Sequence, residues 1–243
     1  MKWLFGGLGQ FVFENNKVEL DLSPESIVRL VYLSTYMRYN RSELFVTQRT
    51  KMNEKDLPEI LRVSESTARR FKNEVCPVYL QIDEQGYLTI NNELFVFGKN
   101  ANAGESYQKV YVEAVRNLYR QTPTTQHKHL GYIFALLPYI NIEYNVLCWN
   151  PYEDKLDNIE LMTVKEFCEK IGYNRSNINR LIRIYSSLFF EIDGKQMRFC
   201  SFVTDGKSSL ENMHIFINPR VLYSGSDYRK VEVLGAFGNE LPS

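Results

Sequence analysis

Two short stretches of this 243-residue chain hold side chains able to read the edges of base pairs. In Ser66-Thr67-Ala68-Arg69-Arg70-Phe71 and Asn177-Ile178-Asn179-Arg180-Leu181, arginine, asparagine and hydroxyl residues alternate with apolar ones. Arginine can give two parallel hydrogen bonds to guanine O6 and N7, asparagine can donate and accept one each with adenine, and a hydroxyl can bond a phosphate or a base edge. Helical spacing turns Ala68, Phe71 and Val75 inward in the first stretch and Ile178, Leu181 and Ile182 in the second. Ser66, Thr67, Arg69, Arg70 and Asn73 are then left for contact with duplex DNA in the first, and Arg175, Asn177, Asn179, Arg180 and Arg183 in the second. Arg62 and Lys72 in the first copy, and Lys165, Lys170 and Arg183 in the second, are the cations for phosphate.

Other chemistries find little support. Gly6-Gly7-Leu8-Gly9 lacks the spacing and the lysine of a phosphate loop and reads as a tight turn. His127-Lys128-His129 has no cysteine or carboxylate at metal-ligand spacing and reads as a helix start. His214 has no catalytic partner nearby in sequence, and Glu153, Asp154 and Asp157 read as a solvated loop rather than a two-metal site. Cys76, Cys148, Cys168 and Cys200 are scattered without a CxxC pair, as buried thiols in a reducing compartment are. The expectation is a binding protein and not an enzyme, with no catalytic residue, metal or cofactor.

The elements that must position these residues come in duplicate. Met52-Asn53-Glu54-Lys55-Asp56-Leu57 and Met162-Thr163-Val164-Lys165-Glu166-Phe167 correspond at a shift of 110, and the two candidate stretches fall at the same shift. Each copy reads as helix, short turn, helix. Asn53 caps a helix with Leu57, Ile60 and Leu61 at helical spacing, and Ser64 caps the next. In the second copy Phe167, Cys168 and Ile171 form the stripe, and Asn174 is the cap. Such a turn between two short amphipathic helices is the helix-turn-helix arrangement.

The surroundings repeat as well. Ser23-Pro24-Glu25 opens a helix through Ile27, Leu30, Val31, Leu33 and Met37 before the first copy, and Leu130, Ile133, Phe134 and Leu137 give a comparable stripe before the second. A hairpin follows each: residues 79–82 and 87–90 around Asp83-Glu84-Gln85-Gly86, then residues 189–192, a turn at Asp193-Gly194, residues 198–203, a polar loop and residues 214–217. The closing phrase Ile90-Asn91 returns as Ile217-Asn218 at a shift of 127, so the second hairpin is longer by 17 residues. Residues 104–121 read as a connecting helix with Val110, Ala114, Val115 and Leu118 on one face, ended by Thr122-Pro123. Its Tyr107, Tyr111 and Tyr119 suggest a partner surface. The expected fold is α+β and helix-rich: two tandem winged helix-turn-helix domains, residues 1–99 and 125–243, joined by a linker helix at 100–124.

The stretch from Lys165-Glu166-Phe167 to Ser176-Asn177, and Ile215-Phe216-Ile217-Asn218-Pro219-Arg220, resemble the winged-helix DNA-binding proteins of phages and plasmids of Gram-positive bacteria, plasmid replication initiators among them. The resemblance covers both halves. It implies that the base-reading role falls on Ser66, Thr67, Arg69 and Arg70 in copy one and on Ser176, Asn177, Asn179 and Arg180 in copy two. It implies a transcriptional regulator that binds a specific duplex sequence. The alternatives are a replication initiator or recombination accessory factor, which needs a polymerase, replisome or recombinase as partner, and a winged-helix module that binds protein only.

Charge sharpens this picture. The 29 lysines and arginines balance 29 aspartates and glutamates, so no uniformly basic surface attracts polyanions. By segment the balance breaks: residues 29–72 carry +5, residues 162–183 carry +3, and residues 73–98 and 141–161 carry −4 each. The acidic first wing is expected to stand clear of DNA or to meet a protein. Lys195, Arg198 and Lys207 make the second wing the one to reach it. Two helix-turn-helix units can read successive major grooves about 10 base pairs apart within one chain, and a homodimer would double the site. No stretch approaches the roughly 20 apolar residues of a membrane span, and the start has no convincing signal-peptide cleavage site, so a cytoplasmic protein is expected.

Overall fold

The computed structural model describes residues 10–15, 17, 19–98, 107–204, 209–234 and 237. The turn at Gly6-Gly7-Leu8-Gly9, the first residues of the expected connecting helix and Lys207 lie outside them. Within them the chain is an α+β protein of eight α-helices and four small antiparallel sheets. It divides into two units, one made of Met1–Val112 and Pro123–Ala135, the other of Glu113–Thr122 and Leu136–Ser243.

The first unit contains β1 (Phe11–Asn15), α1 (Pro24–Ser34), β2 (Met37–Arg38), β3 (Arg41–Leu44), α2 (Leu57–Leu61), α3 (Glu65–Val75), β4 (Leu80–Ile82), β5 (Leu88–Ile90), β6 (Phe95–Val96) and β7 (Tyr107–Tyr111). Ser23 caps α1 by accepting from the Ser26 N–H, with Pro24 at the first helical position. The helix is buried on every side from Ser26 to Ser34 and is the centre of its unit. It stops before Met37, which was expected on its stripe, because the chain reverses through Asn40 in the left-handed region and pairs Arg38 with Arg41. One sheet has the order β2-β3-β5-β4 and the other β6-β1-β7.

The expected connecting helix is a strand and then a helix. Burial alternates along Tyr107–Tyr111, which pair with β1 from Asn15 to Phe11, and α4 (Val112–Gln121) starts only after them. Tyr111 and Tyr119 are buried and Tyr107 is half-buried, so the three rings do not form one exposed aromatic face. The chain then exchanges helices. α4 belongs to the second unit, where the Asn117 side-chain amide donates to the Glu191 carbonyl at 2.6 Å. α5 (His127–Ala135) belongs to the first and packs along α1. The Leu130, Ile133 and Phe134 stripe thus completes the first unit's core, and the divisions fall at 112/113, 122/123 and 135/136 rather than at 99/100 and 124/125. Contact is tight at Gly131, where an added Cβ would fall on the Pro24 carbonyl oxygen.

Glu14 in β1 lies opposite Gln108 in β7, and both are buried. Its Oε2 has no hydrogen-bond partner, and burial pushes the carboxyl well above the usual range. The folded state therefore holds this proton more tightly than the unfolded one, so the contribution of Glu14 to stability is fully present below the unfolded value and is lost as pH rises through the folded value. Glu14→Gln is expected to raise stability at pH 7 by about 1–3 kcal/mol. The gain should vanish below the unfolded glutamate value of about 4.3. Urea unfolding of both proteins at pH 4 and pH 7 measures it, and equal midpoints at pH 7 would contradict it.

The second unit adds α6 (Val164–Lys170), α7 (Ile178–Ser186), β8 (Phe189–Ile192), β9 (Lys195–Arg198), β10 (Cys200–Val203), β11 (His214–Ile217) and α8 (Tyr228–Leu234). The repeat survives down to single hydrogen bonds. Asn53 with Asp56 and Thr163 with Glu166 form reciprocal capping boxes. Asn53 bridges to Tyr87 in one unit, Thr163 to His214 in the other. Asn91 donates to the Val78 carbonyl and accepts from the Glu93 N–H, while Asn218 donates to the Arg198 carbonyl and accepts from the Arg220 N–H. Met52, Phe71 and Val75 are buried at the positions of Met162, Leu181 and Tyr185, each fully buried side chain of this size stabilising by about 1.5–3 kcal/mol.

The 17 extra residues are not one long hairpin. Leu80 opposite Ile90 has its equivalent in Cys200 opposite Ile217, so ten of them precede β10, as the separate β8/β9 hairpin, and seven lie between β10 and β11. Asp193 and Gly194, both at positive φ, make the two-residue turn of that inserted hairpin. Cys148, Cys168 and Cys200 are free, buried thiols that burial pushes up, to about 11 for the first two.

Candidate nucleic-acid interface

Each helix pair presents its second helix by the same means. A tight turn follows α2, with Arg62 in the left-handed region at the helix C-cap. Ser64 then accepts from the Thr67 N–H to start α3. The apolar seam of Ala68, Phe71 and Val75 is buried, which fixes the rotation of α3. Ser66, Arg69, Arg70 and Asn73 are exposed and Thr67 is half-buried. An Arg70 Nη2 donates to the Thr67 hydroxyl at 3.3 Å, which orients the guanidinium along the helix.

In the second unit Asn174 accepts from the Ser176 N–H, a 3₁₀ turn carries Arg175, Ser176 and Asn177, and α7 follows. Ile178, Leu181 and Tyr185 form its buried seam. Ile182, expected inside, is half-buried, and Tyr185 takes the innermost place one turn after Leu181, edge-on to Phe167. Arg175, Ser176, Asn177, Asn179, Arg180 and Arg183 are all exposed.

Not every expected cation is equally available. Arg175 is held between Glu169 at 3.3 Å and Glu211 at 3.9 Å, the second on the loop before β11. Lys72 is paired with Glu54 at 2.8 Å, and the Lys170 ammonium sits 4.5 Å above the Tyr139 ring. Exposed pairs of this kind contribute about 0–1 kcal/mol and exchange readily for phosphate, so they lower the net field more than they block contact.

The hairpins differ. The acidic β4/β5 turn is drawn back onto the start of α2, since Asn53 donates to the Gln85 carbonyl and the Glu54 N–H to that of Gly86. It does not project. Lys195 and Arg198 are exposed on β8/β9, the inserted hairpin, and not on β10/β11, which is the equivalent of β4/β5.

One cation, Arg29, entered above only through the net charge of residues 29–72. Arg29 lies in α1 within Ile27-Val28-Arg29-Leu30-Val31, only 9% exposed, and its Nε has no hydrogen-bond partner. A charge inside a near-continuous apolar run was the available signal. No family model matches the chain, and neither a curated protein nor a solved structure does.

Proposed function

We propose that the chain is a sequence-specific duplex-DNA-binding protein built as two tandem winged helices, a phage or plasmid regulator of transcription. The observation that supports it is the repetition, in both units, of one capped helix pair with a buried seam and an outer face of arginine, asparagine and hydroxyl groups. Fold maintenance alone requires the seam and the caps; it does not require Arg69, Arg70, Asn179 and Arg180 on the outer faces. The target is asymmetric, because the two faces differ in sequence, and the acidic segments keep non-specific affinity low.

Gel shift against fragments of the host element at two salt concentrations tests it: retention of one specific fragment is expected, and retention of none defeats the reading. Substituting Lys195 and Arg198 together by alanine is expected to weaken binding and to make the salt dependence shallower by about 0.9 for each phosphate that is no longer neutralised. An unchanged slope removes the β8/β9 hairpin from the interface. The acidic β4/β5 hairpin, with Tyr87 at 38% exposed in its turn and Val78 at 61% just before it, favours a protein contact in addition. Replication initiation or a recombination accessory role needs such a contact.

A further inference from the structure

The first unit contains an open cleft of about 720 Å³ where the start of α1, the α2/α3 turn and the start of α5 meet. Arg29, Arg62, Arg70 and Lys128 line it against two carboxylates, Glu25 and Glu59. Ser64, Thr67, Thr124 and Thr125 add hydroxyls to the same wall. The first turn of α3, an eleven-residue helix, opens there, and its dipole favours negative charge.

Arg29 makes this more than a basic surface. The residue is nine-tenths buried, and its Nε is sealed from solvent without a hydrogen-bond partner. A buried donor left without an acceptor costs about 1–3 kcal/mol, more on a charged group, and the fold retains it at the wall of the cleft. One carboxylate that feels its charge is Glu74, whose oxygens are taken by the Ser23 N–H and hydroxyl and by the Ser26 hydroxyl. Glu74 offsets the charge without satisfying the donors.

We infer that this cleft binds a phosphoryl group, with Arg29 as the buried anchor, Lys128 and Arg70 as flanking cations, and Thr67 as a hydroxyl donor. A tetrahedral dianion presents enough acceptors for all of them, and planar guanidinium groups suit its paired oxygens. The group belongs either to a free phosphorylated small molecule or to the backbone of bound DNA. Because Thr67 and Arg70 also belong to the outer face of α3, occupancy by a free ligand would compete with DNA at the first unit.

The test is titration of the full-length protein with inorganic phosphate at constant ionic strength, followed by the amide NMR shifts of Ser64, Thr67 and their neighbours. Saturable shifts confined to the cleft are expected, with chloride giving none. Arg29→Met, which keeps an apolar stem of similar length, should weaken phosphate binding about tenfold or more. Lys128→Ala, on a half-buried residue, should weaken it in the same direction and keeps the test decisive if the buried substitution does not fold. Non-saturable shifts, shifts matched by chloride, or unchanged affinity in both variants would overturn the proposal. Duplex binding separates the sources. If the phosphoryl group is DNA backbone, phosphate displaces duplex and Lys128→Ala binds it more weakly; if it is a small molecule, Lys128→Ala binds duplex as the unaltered protein does when phosphate is absent. The phosphate titration does not depend on DNA being bound, so the cleft and the DNA reading can fail separately.

Discussion

Replacing Gly131 by alanine is expected to destabilise the first unit by about 3 kcal/mol, the upper part of the range for overpacking. In an ordinary helix interior the same change stabilises by about 1 kcal/mol, because glycine has more backbone entropy to lose. Here the added Cβ meets the Pro24 carbonyl oxygen and its carbon, which belong to the backbone of α1. No side-chain rotation relieves that contact. α1 and α5 must separate, which loosens packing between two helices whose Leu30, Val31, Leu130 and Phe134 are buried. Urea unfolding measures the change; a midpoint equal to or above that of the unaltered protein would mean that the two helices do not pack at this glycine.

Removing the arginines from both outer helix faces is expected to have the largest effect on binding. Arg69→Ala, Arg70→Ala and Arg180→Ala in one chain should lower affinity for the specific fragment more than a hundredfold, since each bidentate contact to guanine discriminates by about 1–3 kcal/mol. The unfolding midpoint should not change, because all three side chains are exposed and none belongs to a seam. Arg180→Ala alone should cost about 1–3 kcal/mol and relax preference at one position, whereas Arg183→Ala, at a backbone-contacting place, should weaken all sequences alike. Full affinity in the triple variant would overturn the assignment of both faces and leave protein binding as the better reading. Changes confined to Arg69 and Arg70, with Arg180→Ala silent, would leave the first unit as the sole reader.

The helix pairs were legible because caps, seams and turn residues act locally. Asn53, Ser64, Asn174 and the seam from Ala68 to Val75 need only their own neighbours to take up their roles, and a duplicated phrase doubles the signal. What was not legible depends on partners distant in sequence. The stripe at Leu130, Ile133 and Phe134 states that a helix needs an apolar surface but not which one, and α1 supplies it. Tyr107–Tyr111 alternates over only five residues before a helical pattern begins at Ala114, and the longer period hid the shorter. β2 has two residues, too few to show any period, and only Asn40 marks its turn. Of the candidate interface, the exposed faces were readable from spacing; the engagement of Arg175 with Glu169 and Glu211, and the burial of Arg29, required the third dimension.

The exchange of α4 and α5 between the units has a consequence for how the protein is made and cut. In order of synthesis, the first unit is incomplete until residue 135 has left the ribosome, and α4 emerges before most of the unit it belongs to. Neither unit is a contiguous fragment. A truncation ending at residue 99 or 124 deprives α1 of the helix that covers it, and one beginning at residue 125 carries that helix away while discarding α4. The two halves are interlaced along the polypeptide, so the smallest stretch of gene that encodes either complete unit includes part of the other.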